Sequence, residues 1–306
     1  NVAVQPGGKP TIGKFIAAIM NPGDEVLYPN PGYPIYESQI EYQGGRALPY
    51  DYIKTENGFD INIQKIKDSI SNKTVALIYN NYQNPISAES SKEEMEEIAK
   101  IAIENNLWVL ADDAYYEIKY DGKSRSIVEI PGMRDRTVIL YTFSKKYAMT
   151  GWRVGGSIGP EKIIKIISKL NVNAESCTTH FIQDAMVEAL NGDQSGPNEI
   201  LRRLKKRRDV AVSGLNAIDG IEISTPESTF YLFPKVNEIL KRKGFESVEK
   251  LQLGALKNAN VSFCTRDHFG RPQQDEVDYY IRFAYSGISA EDIEEGLKKL
   301  KTYFED

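Results

Sequence analysis

From Thr142 to Arg153 the chain reads Thr-Phe-Ser-Lys-Lys-Tyr-Ala-Met-Thr-Gly-Trp-Arg, directly after the apolar run Thr137-Val138-Ile139-Leu140-Tyr141. A lysine at the end of a buried strand is poorly solvated. Its pKa falls, and Lys145 would offer a neutral amine able to attack a carbonyl. Thr142, Ser144 and Arg153 supply donors of the kind a phosphate anion binds, the arginine as a two-pronged fork. An activated lysine beside phosphate donors is the set that a Schiff base with pyridoxal phosphate requires. The same residues also describe a strand end with a surface lysine and a structural arginine, so context decides.

Other reactive or binding residue types follow similar apolar runs. Gly7-Gly8-Lys9-Pro10 precedes a helical stretch from Thr11 to Met20, where free N–H groups and the helix dipole suit an anion; a glycine pair is also an ordinary turn. In Pro31-Gly32-Tyr33-Pro34 two prolines restrict the backbone around Tyr33. Its ring suits stacking on a flat heterocycle, or simple packing. Asn84 lies beyond Thr74–Tyr79, and Asp112 and Asp113 follow Trp108–Ala111. A carboxylate beside a pyridine nitrogen keeps that nitrogen protonated and the ring a good electron sink. Two adjacent aspartates compete for that task. Either would also cap a strand-to-loop turn. Arg282 stands among apolar neighbours in Tyr280-Ile281-Arg282-Phe283-Ala284-Tyr285. A substrate carboxylate is the partner its fork fits best, and a local acidic side chain is the other option.

These positions need a scaffold. A chain of 306 residues with 41% hydrophobic and 26% charged residues can bury a sizeable core and is expected to form two domains. Val26-Leu27-Tyr28, Thr74–Tyr79, Trp108–Ala111 and Thr137–Leu140 read as strands that are apolar throughout, and helical patterns separate them. One helix should follow Ser90-Ser91, with Glu93 and Glu94 in its capped first turn. Such strands imply an α/β fold, a mostly parallel sheet sandwiched by helices, whose ligand site lies beyond the carboxyl ends of the strands. From about Ser195 the character changes: a charged helix from Asn198 to about Leu215, strands near Phe230–Phe233 and Tyr280–Phe283, then a final amphipathic helix. The expected division is a large domain over residues 1–192 and a smaller C-terminal α+β domain over residues 193–306. A formal net charge of −5 argues against a nucleic-acid partner. The basic run Arg202–Arg208 reads as a solvated helix face. Two cysteines and no long apolar run fit a cytoplasmic protein without a membrane partner.

In their order and spacing, these motifs closely resemble the class I/II aminotransferases of the aspartate aminotransferase type, pyridoxal-phosphate enzymes of fold type I. The resemblance extends over essentially the whole chain. It implies pyridoxal 5'-phosphate as cofactor, carried on Lys145, with Gly7, Gly8, Lys9, Thr142, Ser144 and Arg153 around its phosphate. Tyr33 is implied to stack on the ring, and Asn84 and Tyr115 to bind its phenolic oxygen. The family's ring-nitrogen aspartate stands three residues before a tyrosine and eight before a Tyr-Asp-Gly turn. Tyr115 and Tyr120-Asp121-Gly122 satisfy both spacings for Asp112, whereas Asp113 with Tyr116 satisfies only the first. Arg282, with Asn84, falls where the family binds the substrate α-carboxylate. The implied reaction moves an amino group between an L-amino acid and a 2-oxo acid, with Lys145 carrying the proton, in a homodimer of amino-acid metabolism.

There are departures. The family's Asn-Pro-Thr-Gly is Asn84-Pro85-Ile86-Ser87 here, and a small-domain glycine is Ser228. Losing a glycine removes an easy left-handed turn, so the Asn84 loop is expected to differ locally. The family's N-terminal segment, which covers the site, touches the substrate and helps build the dimer, has no counterpart before Gly7; the expectation is that the sequence starts after it. Aspartate, alanine and aromatic substrates are therefore unseparated. His268 and Arg271 are placed on a surface loop, with contact to an acidic substrate as the other reading. C–S lyase or decarboxylase chemistry would use the same scaffold and lysine. A silent pyridoxal-phosphate-binding regulator domain is a third reading, and a Rossmann nucleotide binder lacks its Gly-x-Gly-x-x-Gly signature.

Overall fold

The computed structural model describes residues 1–56 and 58–306. In chain order the strands are β1 (Val2–Gln5), β2 (Glu25–Pro29), β3 (Arg46–Tyr50), β4 (Tyr52–Thr55), β5 (Gly58–Ile61), β6 (Thr74–Tyr79), β7 (Trp108–Asp112), β8 (Thr137–Thr142), β9 (Gly155–Ile158), β10 (Tyr231–Leu232), β11 (Cys264–Thr265) and β12 (Ile281–Ala284). The helices are α1 (Lys9–Ile19), α2 (Ile35–Tyr42), α3 (Ile63–Ser69), α4 (Lys92–Glu104), α5 (Glu161–Ala174), α6 (His180–Asn191), α7 (Ser195–Asn216), α8 (Asn237–Lys243), α9 (Val248–Ala259) and α10 (Ala290–Glu305).

Seven strands form one sheet in the order β1-β9-β8-β7-β6-β2-β3. From β8 to β3 every neighbouring pair is parallel. Only β9 runs the other way, antiparallel to β8 and to β1. Alternate side chains enter opposite layers, as the pleat demands. Val26, Tyr28, Ala76 and Ile78 pack with Phe15, Ile16, Ile40 and Ile164 of α1, α2 and α5. Leu27, Leu77, Tyr79 and Val109 pack with Ile66, Met95, Ile98 and Ala102 of α3 and α4. Burial on both faces explains why these strands read as continuously apolar.

Local signals set several helix ends. Ser91 caps α4 by accepting the N–H of Glu94, as a serine before an acidic first turn should. Helix α1 starts at Lys9, two residues earlier than the sequence pattern suggested, because Pro10 suits a first turn. Gly8 is its N-cap and makes no side-chain cap bond; the Thr11 N–H donates to the Gly8 carbonyl at 3.0 Å. In the C-terminal part, β10, β12 and β11 form a three-stranded sheet. Leu204, Leu215, Leu251, Leu300 and Phe304 close a further core beneath it, one that also takes in Tyr82, Tyr115 and Tyr120. Among the described residues no helix is long and apolar enough to cross a membrane, and Cys177 and Cys264 are both free thiols.

Candidate active site

Strands β1, β2, β6, β7 and β8 share one direction, so the residues just past them emerge at one edge of the sheet. Gly7, Tyr33, Asn84, Asp112 and the Thr142–Lys145 turn all come from that edge. A parallel sheet gathers its ligand residues there because neighbouring connections diverge and leave a crevice.

Gly7 has φ +99°. A side chain on it would bring its Cβ to 2.1 Å from Nη2 of Arg153. Only glycine lets this backbone lie against the guanidinium. A Cβ on Gly8 would meet Leu140 at 2.7 Å and Thr142 at 3.3 Å, which ties the α1 start to the end of β8. Thr142 Oγ1 donates to Ser144 Oγ at 3.0 Å, and both residues are buried. Arg153 is aimed by carbonyls: Nη1 donates to Thr150 at 2.7 Å and Nη2 to Pro6 at 3.3 Å. The structure thus brings Gly7, Gly8, Thr142, Ser144 and Arg153 into one cup. Lys9 is exposed, its amine 6.0 Å from the centre of the Tyr33 ring.

Lys145 follows in the turn after β8. Its Nζ is 5.1 Å from the ring centre of Tyr115 and 5.5 Å from that of Phe230. Burial pushes its amine below the usual lysine range; Arg282 and Arg153 act in the same direction and Asp112 opposes them. The adjacent Lys146 is engaged by Glu117 Oε1 at 2.5 Å.

Asp112 closes β7 and is buried. Burial raises its carboxyl above the usual range, while Tyr36, the Ala114 N–H and Lys145 pull it back. Tyr36, fully buried, donates to Oδ2 at 2.5 Å, and the N–H of Ala114 reaches Oδ1 at 3.2 Å. A buried carboxylate needs a cation, and a pyridinium N–H fits that need. Asp113 faces elsewhere: Ser126 donates to its Oδ2 at 2.8 Å, and burial lifts its carboxyl to about 7.

Arg282 comes from β12. Its Nη1 donates to Asn84 Oδ1 at 2.7 Å, and its guanidinium lies between the rings of Tyr231 (4.2 Å) and Phe269 (4.6 Å). Its Nε is buried without a hydrogen-bond partner. An arginine held flat by two rings, with an unused donor, is set for a planar anion. The Tyr115 and Tyr231 hydroxyls meet at 2.5 Å. Tyr33 is half-buried and packs edge-on to Tyr36 at 5.8 Å. Phosphate donors, an activated amine, a buried ring-side carboxylate and a carboxylate-ready arginine together fit pyridoxal phosphate and an amino acid.

The model of the family "aminotransferase class I and II" matches residues 1–300. The chain belongs to that family. Its members depend on pyridoxal phosphate, and this chain is an aminotransferase. It is 33% identical over 280 residues to an aspartate aminotransferase of a Bacillus species, covering 91% of this chain and 71% of that protein. A probable aspartate/prephenate aminotransferase of Aquifex aeolicus is 32% identical, covering 100% of this chain and 76% of the other. The crystal structure of an aromatic aminotransferase from Pyrococcus horikoshii superposes with a TM-score of 0.90 at 29% identity, covering 98% of this chain and 78% of that one.

Several residues of this aminotransferase site escaped the sequence reading. Tyr36 carries no chemical signal of its own in the sequence; its place three residues after Tyr33 is the available one. Asn80 donates to the carbonyl of Asp112 at 2.7 Å and accepts the N–H of Asn84 at 3.2 Å, so one amide side chain sets two site residues. Phe230, Tyr231 and Phe269 gave no signal beyond apolarity. The Asn84 loop also differs from expectation. Ser87 keeps a left-handed turn at φ +58° without glycine. Arg271 is paired with Glu37 and Glu41 of α2, and the exposed His268 bonds the buried Thr265, so each has a partner within the chain.

Proposed function

We propose that this aminotransferase carries pyridoxal 5'-phosphate on Lys145 and exchanges an amino group between an L-amino acid and a 2-oxo acid. The observation that carries the reading is Lys145: a partly buried amine with lowered proton affinity, within reach of Asp112, Arg153 and Arg282. When bound, the cofactor supplies an aldehyde that condenses with amines and a ring that takes up the electron pair left when the α-proton departs. Gly7, Gly8, Thr142, Ser144 and Arg153, with the backbone of Lys9, would hold its phosphate. Tyr33 would pack on the ring, Asp112 would hold the proton on the ring nitrogen, and Asn84 and Tyr115 would donate to the phenolic oxygen.

Arg282 and the Asn84 amide bind the substrate α-carboxylate and so orient the bond from Cα to its proton. Lys145, once it carries no proton on Nζ, takes that proton and later returns it, acting in turn as base and acid. The rings of Tyr115 and Phe230 lie against the amine, and burial there holds its proton affinity down. The similar proteins are named for aspartate, prephenate and aromatic substrates, and the reaction proposed here is the one these share, amino-group exchange between an amino acid and a 2-oxo acid. The two-domain division at Gly192, a homodimer and a cytoplasmic setting complete it. Apolar Trp152, Phe181, Val187 and Leu190 are exposed on and near α6, a face suited to a second copy.

An absorption titration of the full chain, loaded with cofactor, tests the reading: candidate amino acids should bleach the internal Schiff-base band, and a 2-oxo acid should restore it. No spectral change with any amino acid would overturn it.

A further inference from the structure

Ser87 and Thr229 are among the residues without glycine's freedom that occupy the left-handed region beside the candidate site, as Ala148 and Arg153 also do. Ser87 has φ +58° and Thr229 has φ +61°. For a β-branched residue that is a genuine outlier, and it persists only where the surroundings over-determine it. Here they do. Thr229 is wholly buried; its N–H donates to Ile118 at 2.8 Å and its carbonyl accepts the Tyr120 hydroxyl at 2.6 Å.

The two side chains meet. Ser87 Oγ lies 2.6 Å from Thr229 Oγ1 and donates its one proton to the carbonyl of Tyr231 at 2.9 Å. The Thr229 hydroxyl must therefore donate to Ser87, and its oxygen also accepts the Tyr231 N–H at 3.3 Å. The hydroxyl pair joins two segments, one that carries Asn84 and one that carries Tyr231, whose ring lies against Arg282. The backbone bonds of Thr229 tie in the segment that carries Tyr115. Glycine at both positions would make the same turns without strain, so the side chains serve something other than the turns.

We propose that the Ser87–Thr229 hydroxyl pair is a positioning clasp. It fixes the Asn84 loop against the Tyr231 strand, so that Asn84 and Arg282 stand ready for the substrate carboxylate before it arrives. The inference rests on the reading of Arg282 and Asn84 as the carboxylate site. Its physical content is preorganisation: without the clasp, part of the binding free energy is spent on ordering the loop.

Three variants of the full, cofactor-loaded chain test it, with 2-oxo acid binding measured by calorimetry and melting temperature measured in parallel. Ser87→Gly keeps the turn and deletes the hydroxyl. Its melting temperature should change little, because relief of strain offsets the lost bonds. Its dissociation constant for the 2-oxo acid should rise roughly three- to tenfold, the size of one lost hydrogen bond. KM should rise in step while kcat holds. Thr229→Ser retains the hydroxyl and should bind like the parent. Arg282→Lys is the control for the underlying reading and should weaken binding more than either. If Arg282→Lys weakens binding and Ser87→Gly does not, the clasp is refuted while the carboxylate site stands. If Thr229→Ser weakens binding as much as Ser87→Gly, the hydroxyl pair is not the agent. If Arg282→Lys binds normally, the carboxylate reading itself falls.

Discussion

Replacing Tyr36 by phenylalanine deletes one oxygen from the pocket of Asp112 and leaves the ring, with its edge-on packing against Tyr33, in place. The lost contact is a 2.5 Å hydrogen bond from a fully buried phenol to a buried carboxylate. Hydrogen bonds to charged groups contribute about 1.5–3 kcal/mol. If Asp112 carries its charge in the rate-limiting proton transfer, the loss appears in kcat as roughly ten- to a hundredfold. The pH profile gives a second reading. Burial raises the Asp112 carboxyl, and the Tyr36 hydroxyl is the first of the groups that pull it back. Without the phenol the carboxyl protonates at higher pH, so the acid limb of kcat should move upward. The assay is steady-state turnover at saturating amino acid across the acid range, with urea denaturation to check the fold. A variant with kcat within about twofold of the parent and an unmoved acid limb would refute the claim that Tyr36 governs Asp112.

Borohydride reduction of the loaded protein should fix a pyridoxyl group on the Lys145 peptide, and label on Lys146 would overturn the assignment; Lys145→Ala should lose all turnover yet still bind cofactor through the phosphate cup. Arg282→Lys keeps the charge but not the fork, so substrate affinity measured by titration should fall at least about tenfold, with cofactor affinity retained. Asp112→Ala should cut turnover severely and Asp113→Ala only mildly, and the reverse ranking would show that the wrong aspartate was chosen. Asp113 also gives a stability test. Folded, it keeps its proton up to about pH 7; unfolded, it releases it near 3.8. The folded state binds more protons across that window, so stability should fall as pH rises through it, and urea midpoints of Asp113→Asn should show a flatter trend.

Much of this protein was legible in its amino acids because the signals were local. A strand buried on both faces must be apolar throughout, so Thr74–Tyr79 and Thr137–Leu140 announced themselves, and the residues after them became candidates at once. Ser91 ahead of two glutamates predicts its helix by one hydrogen bond. The family resemblance, through the spacing to Tyr115 and to Tyr120-Asp121-Gly122, implied Asp112 rather than Asp113; in the structure Tyr36 donates to Asp112 and Ser126 to Asp113.

Tertiary structure decided what depends on partners distant in sequence. Tyr36 is an ordinary helix residue until the sheet carries Asp112, 76 residues on, to its hydroxyl. Arg282 gains the setting proposed for a carboxylate grip only when Asn84, Tyr231 and Phe269 close around it, 198 residues separating it from Asn84. Ser87 looked like a lost glycine, and a backbone rule alone predicted a changed loop. The turn is kept with Ser87 in it, and its hydroxyl meets that of Thr229, 142 residues away, a contact that no local propensity encodes. Periodicity and turn chemistry act over a few residues and survive in the sequence as patterns; the satisfaction of buried polar groups is settled only by the fold that brings them together.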